Sequence, residues 1–285
     1  MYIKEFYAHG RPVVSFEVFP PKKDTGLADI YAALDQMAAL SPDFISVTYG
    51  AGGGKNSGLT AEVASFVQHK HGICSIAHLT CIGANQESIR SLLEQTKLKD
   101  VRNVLALRGD MPEGQPSAGT YKYAEELIRD IRTYGDFCIG AACYPEGHID
   151  CDDLDFDTEC LLCKQEVGAD FLITQLFFDN DFFYRFLERA RGGGVTLPVS
   201  AGVMPIISRS QIERMIFLCG ASLPSGIIKL LHKYESSPEG LRLAGMEYAA
   251  EQIADLIAHG VDGVHIYTMN KPDIADFCMK HIGRA

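Results

Sequence analysis

The segment FLITQLFFDNDFFYRFLERAR, Phe171 to Arg191, contains the repeating unit of the fold. Phe171 to Phe177 is a short and nearly continuous apolar run, as expected of a strand buried on both faces. From Phe182 to Arg191 the apolar residues return at the three- and four-residue spacing of one helix face. A strand that must be covered on both faces, followed at once by a helix that can cover it, is the βα unit of a parallel sheet.

Outward from this unit the same alternation fills the chain. Strands are predicted at Val13 to Phe19, Phe44 to Tyr49, Cys74 to Cys81, Asn103 to Leu107, Cys138 to Tyr144, Pro198 to Val203 and Gly263 to Thr268. Their helices are predicted at Leu27 to Leu40, Leu59 to His69, Gln86 to Leu98, Tyr123 to Arg132, Leu154 to Glu166, Gln211 to Leu218 and Ile274 to His281. Gly or Pro punctuates most of the returns, at Pro42, Gly72, Gly135, Gly168, Gly192 to Gly194 and Gly260. Eight βα units predict an α/β protein, a (β/α)8 TIM barrel, with residues 1–285 as one domain. The exception is Ala221 to Ala258, where Ile227 to Tyr234 and Glu239 to Ala258 read as extra helices inserted before the last strand.

Composition narrows the function. With 47% hydrophobic and 22% charged residues, the 285-residue chain can bury a large core, which excludes disorder. Lys plus Arg is 26 against 37 for Asp plus Glu, and the net charge of −11, with no basic run, argues against a nucleic-acid partner. The longest stretch free of charged residues, Gly192 to Ser208, contains four Gly and two Pro, so no membrane span is expected. Lys4, Glu5 and Arg11 interrupt the start before an apolar run can grow, which reads as no signal peptide and a cytoplasmic protein. The nine cysteines are odd in number and scattered, as for reduced thiols.

Active sites of such barrels lie at the C-terminal strand ends, and polar residues gather there: Glu17, Thr48, Tyr49, His78, Thr80, Arg108, Asp110, Tyr144, Glu146, His148, Gln175, Tyr267 and Asn270. Glu17 lies between Phe16 and Val18, where desolvation favours the protonated carboxyl that a general acid needs; a pairing with a barrel Arg or Lys is the structural alternative. The loop Gly50 to Gly58 either brings backbone N–H groups to an anion or simply connects strand to helix. Arg108, Gly109 and Asp110 suit a planar ligand or a local ion pair. Cys160 and Cys163 lack a second pair, so no metal is expected, and the acidic run Asp150 to Asp157 suits a helix cap better than a cation site.

Eight motifs carry a resemblance: SFEVFPPK (Ser15 to Lys22), SVTYGAGG (Ser46 to Gly53), AHLTC (Ala77 to Cys81), ALRGD (Ala106 to Asp110), YPEGH (Tyr144 to His148), ITQLFFD (Ile173 to Asp179), GVMPI (Gly202 to Ile206) and IYTMN (Ile266 to Asn270). In this order the chain resembles methylenetetrahydrofolate reductase of the bacterial, single-domain type. The resemblance implies a barrel with FAD at its mouth. It implies ping-pong hydride transfer from NADH or NADPH through the flavin to 5,10-methylenetetrahydrofolate, giving 5-methyltetrahydrofolate. It further implies Glu17 as general acid and Asp110 as a second catalytic group near the flavin. Cofactor contacts implied are Thr48, Tyr49, Ala51, His78, Arg108, Gly109, Asp110, Tyr123, Ala124, Ala142, Tyr144, His148, Asp157 and Lys164, with Arg108, His78 and Lys164 offsetting the pyrophosphate charge. Substrate contacts implied are Glu17, Gln175, Gln211, Tyr267, Met269 and Lys271. Met215 stands where the best-known bacterial members carry Phe against the nicotinamide, Lys271 replaces an Arg, and Cys160 and Cys163 replace polar residues of the helix facing FAD. A homo-oligomer is expected. The rival readings are a flavin-independent folate one-carbon-transfer barrel, and a barrel subunit of an electron-transfer complex that does not use NAD(P)H directly.

Overall fold

The computed structural model describes residues 1–21, 26–49, 57–109 and 119–283. The strands β1 (Val13–Val18), β2 (Phe44–Val47), β3 (Cys74–Thr80), β4 (Asn103–Leu107), β5 (Cys138–Cys143), β6 (Phe171–Thr174), β7 (Val199–Val203) and β8 (Gly263–Tyr267) pair in parallel and in sequence order. β8 closes back onto β1, with Ser15 opposite His265 and Glu17 opposite Tyr267. Each strand therefore ends at the same mouth, as the sequence predicts for a (β/α)8 barrel.

Around them lie α1 (Leu27–Ala38), α2 (Ser57–His71), α3 (Gln86–Leu98), α4 (Ala124–Tyr134), α5 (Leu154–Glu166), α6 (Asn180–Gly192), α7 (Arg209–Cys219), α8 (Ser225–Lys233), α9 (Pro238–Ala258) and α10 (Pro272–Ile282). The inserted helices α8 and α9 fall where the sequence places them, between α7 and β8. Short polar side chains start several helices by accepting the free N–H groups of the first turn, as Asn85 does for α3, Asp153 for α5 and Ser208 for α7. Asp153 thus bears out the capping reading of the acidic run. No helix among the described residues is long and apolar enough to cross a membrane.

The barrel interior is filled from its base by Val13, Phe44, Cys74, Cys138 and Phe171, the first residues of their strands, and above them by Ile76, Leu105 and Ile173. A 3-10 helix, Ile3–His9, seals this end: Ile3 is fully buried, the Tyr7 ring lies 5.6 Å from that of Phe171, and the Tyr7 hydroxyl meets Ser200 Oγ at 2.8 Å. Nothing in the sequence pattern announces it, because seven residues of 3-10 helix present no repeat long enough to read. The larger apolar layer lies outside the strands, between them and the helices.

One strand differs from expectation. β6 ends at Thr174 although the apolar run continues to Phe178. Leu176 and Phe178 leave the sheet to join Met204, Ile206, Ile212, Ile227 and Leu241 in a separate cluster under α7, α8 and α9. Apolar periodicity reports burial, and burial here is supplied by helices rather than by strand pairing.

Candidate active site

Glu17 projects at the mouth with 19% of its side chain exposed, less deeply buried than its apolar neighbours suggest. Its Oε2 faces two imidazoles, His265 Nε2 at 3.3 Å and His78 Nε2 at 3.6 Å. Ser15 Oγ lies 2.8 Å from His265 Nδ1, and Ser46 Oγ lies 2.7 Å from His78 Nε2. Ser15, Glu17, Ser46, His78 and His265 alternate along β1, β2, β3 and β8 at the spacing that turns every second side chain inward. The partners of Glu17 among the described residues are therefore rings that can donate or accept, not the Arg or Lys of a buried ion pair.

Burial lowers the pKa of His78 from 6.5 to about 4, against an opposite pull from Glu17 and with a further lowering by His265. The ring is neutral at pH 7. It supplies a hydrogen-bonding group and not the positive charge expected of it towards a pyrophosphate; the cause is its depth in the barrel, where a charged imidazole is costly. An unfolded chain takes up this proton as pH falls below about 6.5, whereas the folded chain does so only near 4, so the contribution to stability is complete above the higher value and is lost on descent. Urea unfolding should show a loss of roughly 2 to 3 kcal/mol from this group between pH 7 and about 4.5, and that portion should disappear in His78→Asn.

The backbone around Glu17 is tied across the β1–β8 seam beyond the last ladder pair. Thr268 Oγ1 donates to the Glu17 carbonyl at 2.6 Å, while Asn270 accepts from the Phe19 N–H at 2.9 Å and donates to the Phe19 carbonyl at 2.8 Å. Met269 and Asn270 adopt left-handed φ values of 53° and 57° to make this turn, and Lys271 then stands at the start of α10 without a side-chain bond to its first turn. Tyr267, beside Glu17, donates from its hydroxyl to the Thr174 carbonyl at 2.8 Å, and burial raises its pKa well above the ordinary value. Gln175 is anchored through its N–H to the Cys143 carbonyl at 2.7 Å, and its Oε1 accepts from the Leu176 N–H. Gln211 accepts from the Ile207 N–H at 2.8 Å and donates to the Pro205 carbonyl at 3.3 Å, which holds the loop after β7.

The other side of the mouth is cationic at its floor. Lys164, reaching from α5, donates from Nζ to the Ala142 carbonyl of β5 at 2.9 Å, and burial lowers its pKa. Arg108 follows β4 and donates from Nη2 to Asp150 Oδ2 at 2.7 Å. Its Nε is buried and has no hydrogen-bond partner among the described residues. Gly109 has φ +85°, and a Cβ there would come within 2.9 Å of Ile82 Cγ2, so only glycine suits this approach. Thr48 donates its N–H to the Val18 carbonyl at 2.9 Å, and Tyr49 follows it, half-buried. His148 packs edge-on to Tyr144 with centroids 4.6 Å apart. Asp157 is buried in the first turn of α5, which raises its pKa. Tyr123 caps α4 and is exposed, and Ala124 is buried behind it. Ala51, Asp110 and most of the loop Gly50 to Gly58 lie outside the described residues.

His265, Ser15 and Ser46 are the site residues that the sequence reading passed over. The signal for His265 was present: it stands two residues before Tyr267 in a strand and so shares its inward face.

The family model of methylenetetrahydrofolate reductase matches residues 2–283. The 5,10-methylenetetrahydrofolate reductase of Pectobacterium carotovorum is 30% identical, over 93% of this chain and 88% of that protein. Methylenetetrahydrofolate reductase (NADH) 1 of Arabidopsis thaliana is 34% identical over 99% of this chain. The chain spans about half the length of the plant and yeast relatives it matches. Among solved structures, a Clostridium thermocellum protein that binds two copies of 5-methyl-5,6,7,8-tetrahydrofolic acid superposes with a TM-score of 0.66 at 13% identity, covering 100% of this chain and 99% of that one.

Proposed function

Because this chain belongs to the methylenetetrahydrofolate reductase family, we propose that it reduces 5,10-methylenetetrahydrofolate to 5-methyltetrahydrofolate, with FAD as cofactor and NADH or NADPH as donor. The observation that carries the reading is the placement of Glu17. It is a carboxyl at the mouth, partly open to a ligand, backed by a neutral His78 and by His265. Held this way, Glu17 can pass a proton to the folate nitrogen whose C–N bond opens, while the His265 ring hydrogen-bonded behind it can donate or accept as the carboxyl gives up its proton.

FAD, when bound, supplies the hydride relay between the two substrates. The residues present fit it: Arg108 Nε, which has no partner among the described residues, is a buried donor suited to a phosphate oxygen, and the Gly109 turn allows close approach. Arg108 and Lys164 would offset the pyrophosphate charge, while Thr48, Tyr49, Tyr144 and His148 line the strand ends beside it. Tyr267, Met269 and Lys271 belong to β8 and the turn after it, next to β1 and Glu17, where the folate is proposed to lie; Gln175 reaches the mouth from the end of β6, and Gln211 shapes the loop after β7.

The test is stopped-flow reduction of the FAD-saturated protein by NADH and by NADPH separately, followed by reoxidation with methylenetetrahydrofolate. Bleaching by at least one nucleotide and recovery with the folate are expected. A protein that stays colourless at saturating FAD points to the flavin-independent barrel instead. A flavin bleached only through a reduced partner protein points to the electron-transfer subunit.

A further inference from the structure

Arg108 is held by a carboxylate of its own chain. The guanidinium offers two N–H groups, Nε and Nη2, along one edge, the geometry that matches two oxygens of a carboxylate or phosphate. Here Nη2 donates to Asp150 Oδ2 at 2.7 Å, and Nε, buried, has no partner among the described residues. The edge is half used. Asp150 does not complete it, and its own N–H is turned towards His148 Nδ1 at 3.0 Å.

We propose that Asp150 weakens and thereby sets the affinity of this chain for FAD, by occupying the part of the Arg108 edge that the cofactor's pyrophosphate must take. The inference rests on the flavin reading above. A phosphate that satisfies both Nε and Nη2 needs the position of Asp150 Oδ2, and the carboxylate cannot remain there because two anions would share one cation. With 62% of its side chain exposed, Asp150 can swing into water without a large desolvation cost. The charge next to the site therefore belongs to a competitor and not to a second ligand. Arg108 also holds the Asp150 carboxyl below its usual pKa, chiefly through the hydrogen bond, so the competitor stays ionised at every working pH.

The experiment titrates wild-type and Asp150→Asn apoprotein with FAD, and with riboflavin, which lacks the phosphates, following flavin fluorescence at low and at high salt. Asp150→Asn is expected to lower the FAD Kd about threefold to fivefold at low salt, the size of a half-exposed ion pair, with less gain at high salt and no change for riboflavin. In an Arg108→Gln background the same substitution should give no gain. An FAD Kd that is unchanged or weaker in Asp150→Asn, or a gain shared equally by riboflavin, would overturn the inference and leave the flavin reading standing. A wild-type protein that binds neither ligand removes the flavin reading itself, and this inference with it; the wild-type titration separates the two.

Discussion

Glu17→Gln should leave flavin reduction by NADH or NADPH intact and slow the folate half-reaction by about a thousandfold, the usual reach of a positioned general acid. Gln matches Glu in shape, and its amide can still donate to or accept from His265 Nε2, now 3.3 Å from the carboxylate. The barrel should therefore fold as before. In the proposed mechanism only the transferable proton is lost, and it belongs to the folate step, since hydride transfer from the nicotinamide needs no acid at this position. Stopped-flow traces of each half-reaction measure the two effects separately. Equal loss in both would show that Glu17 acts through the structure of the mouth and not as an acid.

Gly245→Ala should be the most damaging small substitution for stability. Gly245 lies on the face of α9 that presses on the loop after β7, and a Cβ placed there would stand 2.0 Å from the Ile206 carbonyl oxygen. Backbone cannot give way as a side-chain tip can, so helix and loop must separate, opening the cluster formed by Met204, Ile206, Ile212 and Leu241. A cost of about 3 kcal/mol is expected, which for a chain of this length lowers Tm by roughly 6 to 12 °C. Gly192→Ala, where a Cβ meets nothing within 4 Å, should leave Tm almost unchanged. A Gly245→Ala protein that melts with the wild type would mean that α9 moves freely against the loop.

The barrel was legible because each strand and helix announces itself within its own residues. Apolar runs of strand length, helix-spaced runs of greater length and the Gly and Pro between them place every βα unit to within a few residues, including α8 and α9. Where the reading slipped, an apolar residue was buried by an unexpected partner: Leu176 and Phe178 by helices, Ile3 by the barrel base. The site was legible as a set of polar strand ends with Glu17 foremost, and less so as a network. His265 is 248 residues from Glu17 along the chain, and only closure of β8 onto β1 brings their side chains within 3.3 Å.

By itself, then, the order of residues determined the class of the fold, the end at which chemistry must sit and the family to which the motifs point, since all of these depend on local periodicity and short motifs. Tertiary structure alone decided the states and partners of the groups at that end. It made His78 neutral by burying it, although the sequence suggested a charge for the cofactor. It set Asp150 against Arg108, so that one carboxylate of an acidic run read as a helix cap is held instead by a cation at the barrel mouth. A protonation state and a hydrogen-bond partner depend on the dielectric and the distance around a group, and both are set by what closure of the barrel brings together.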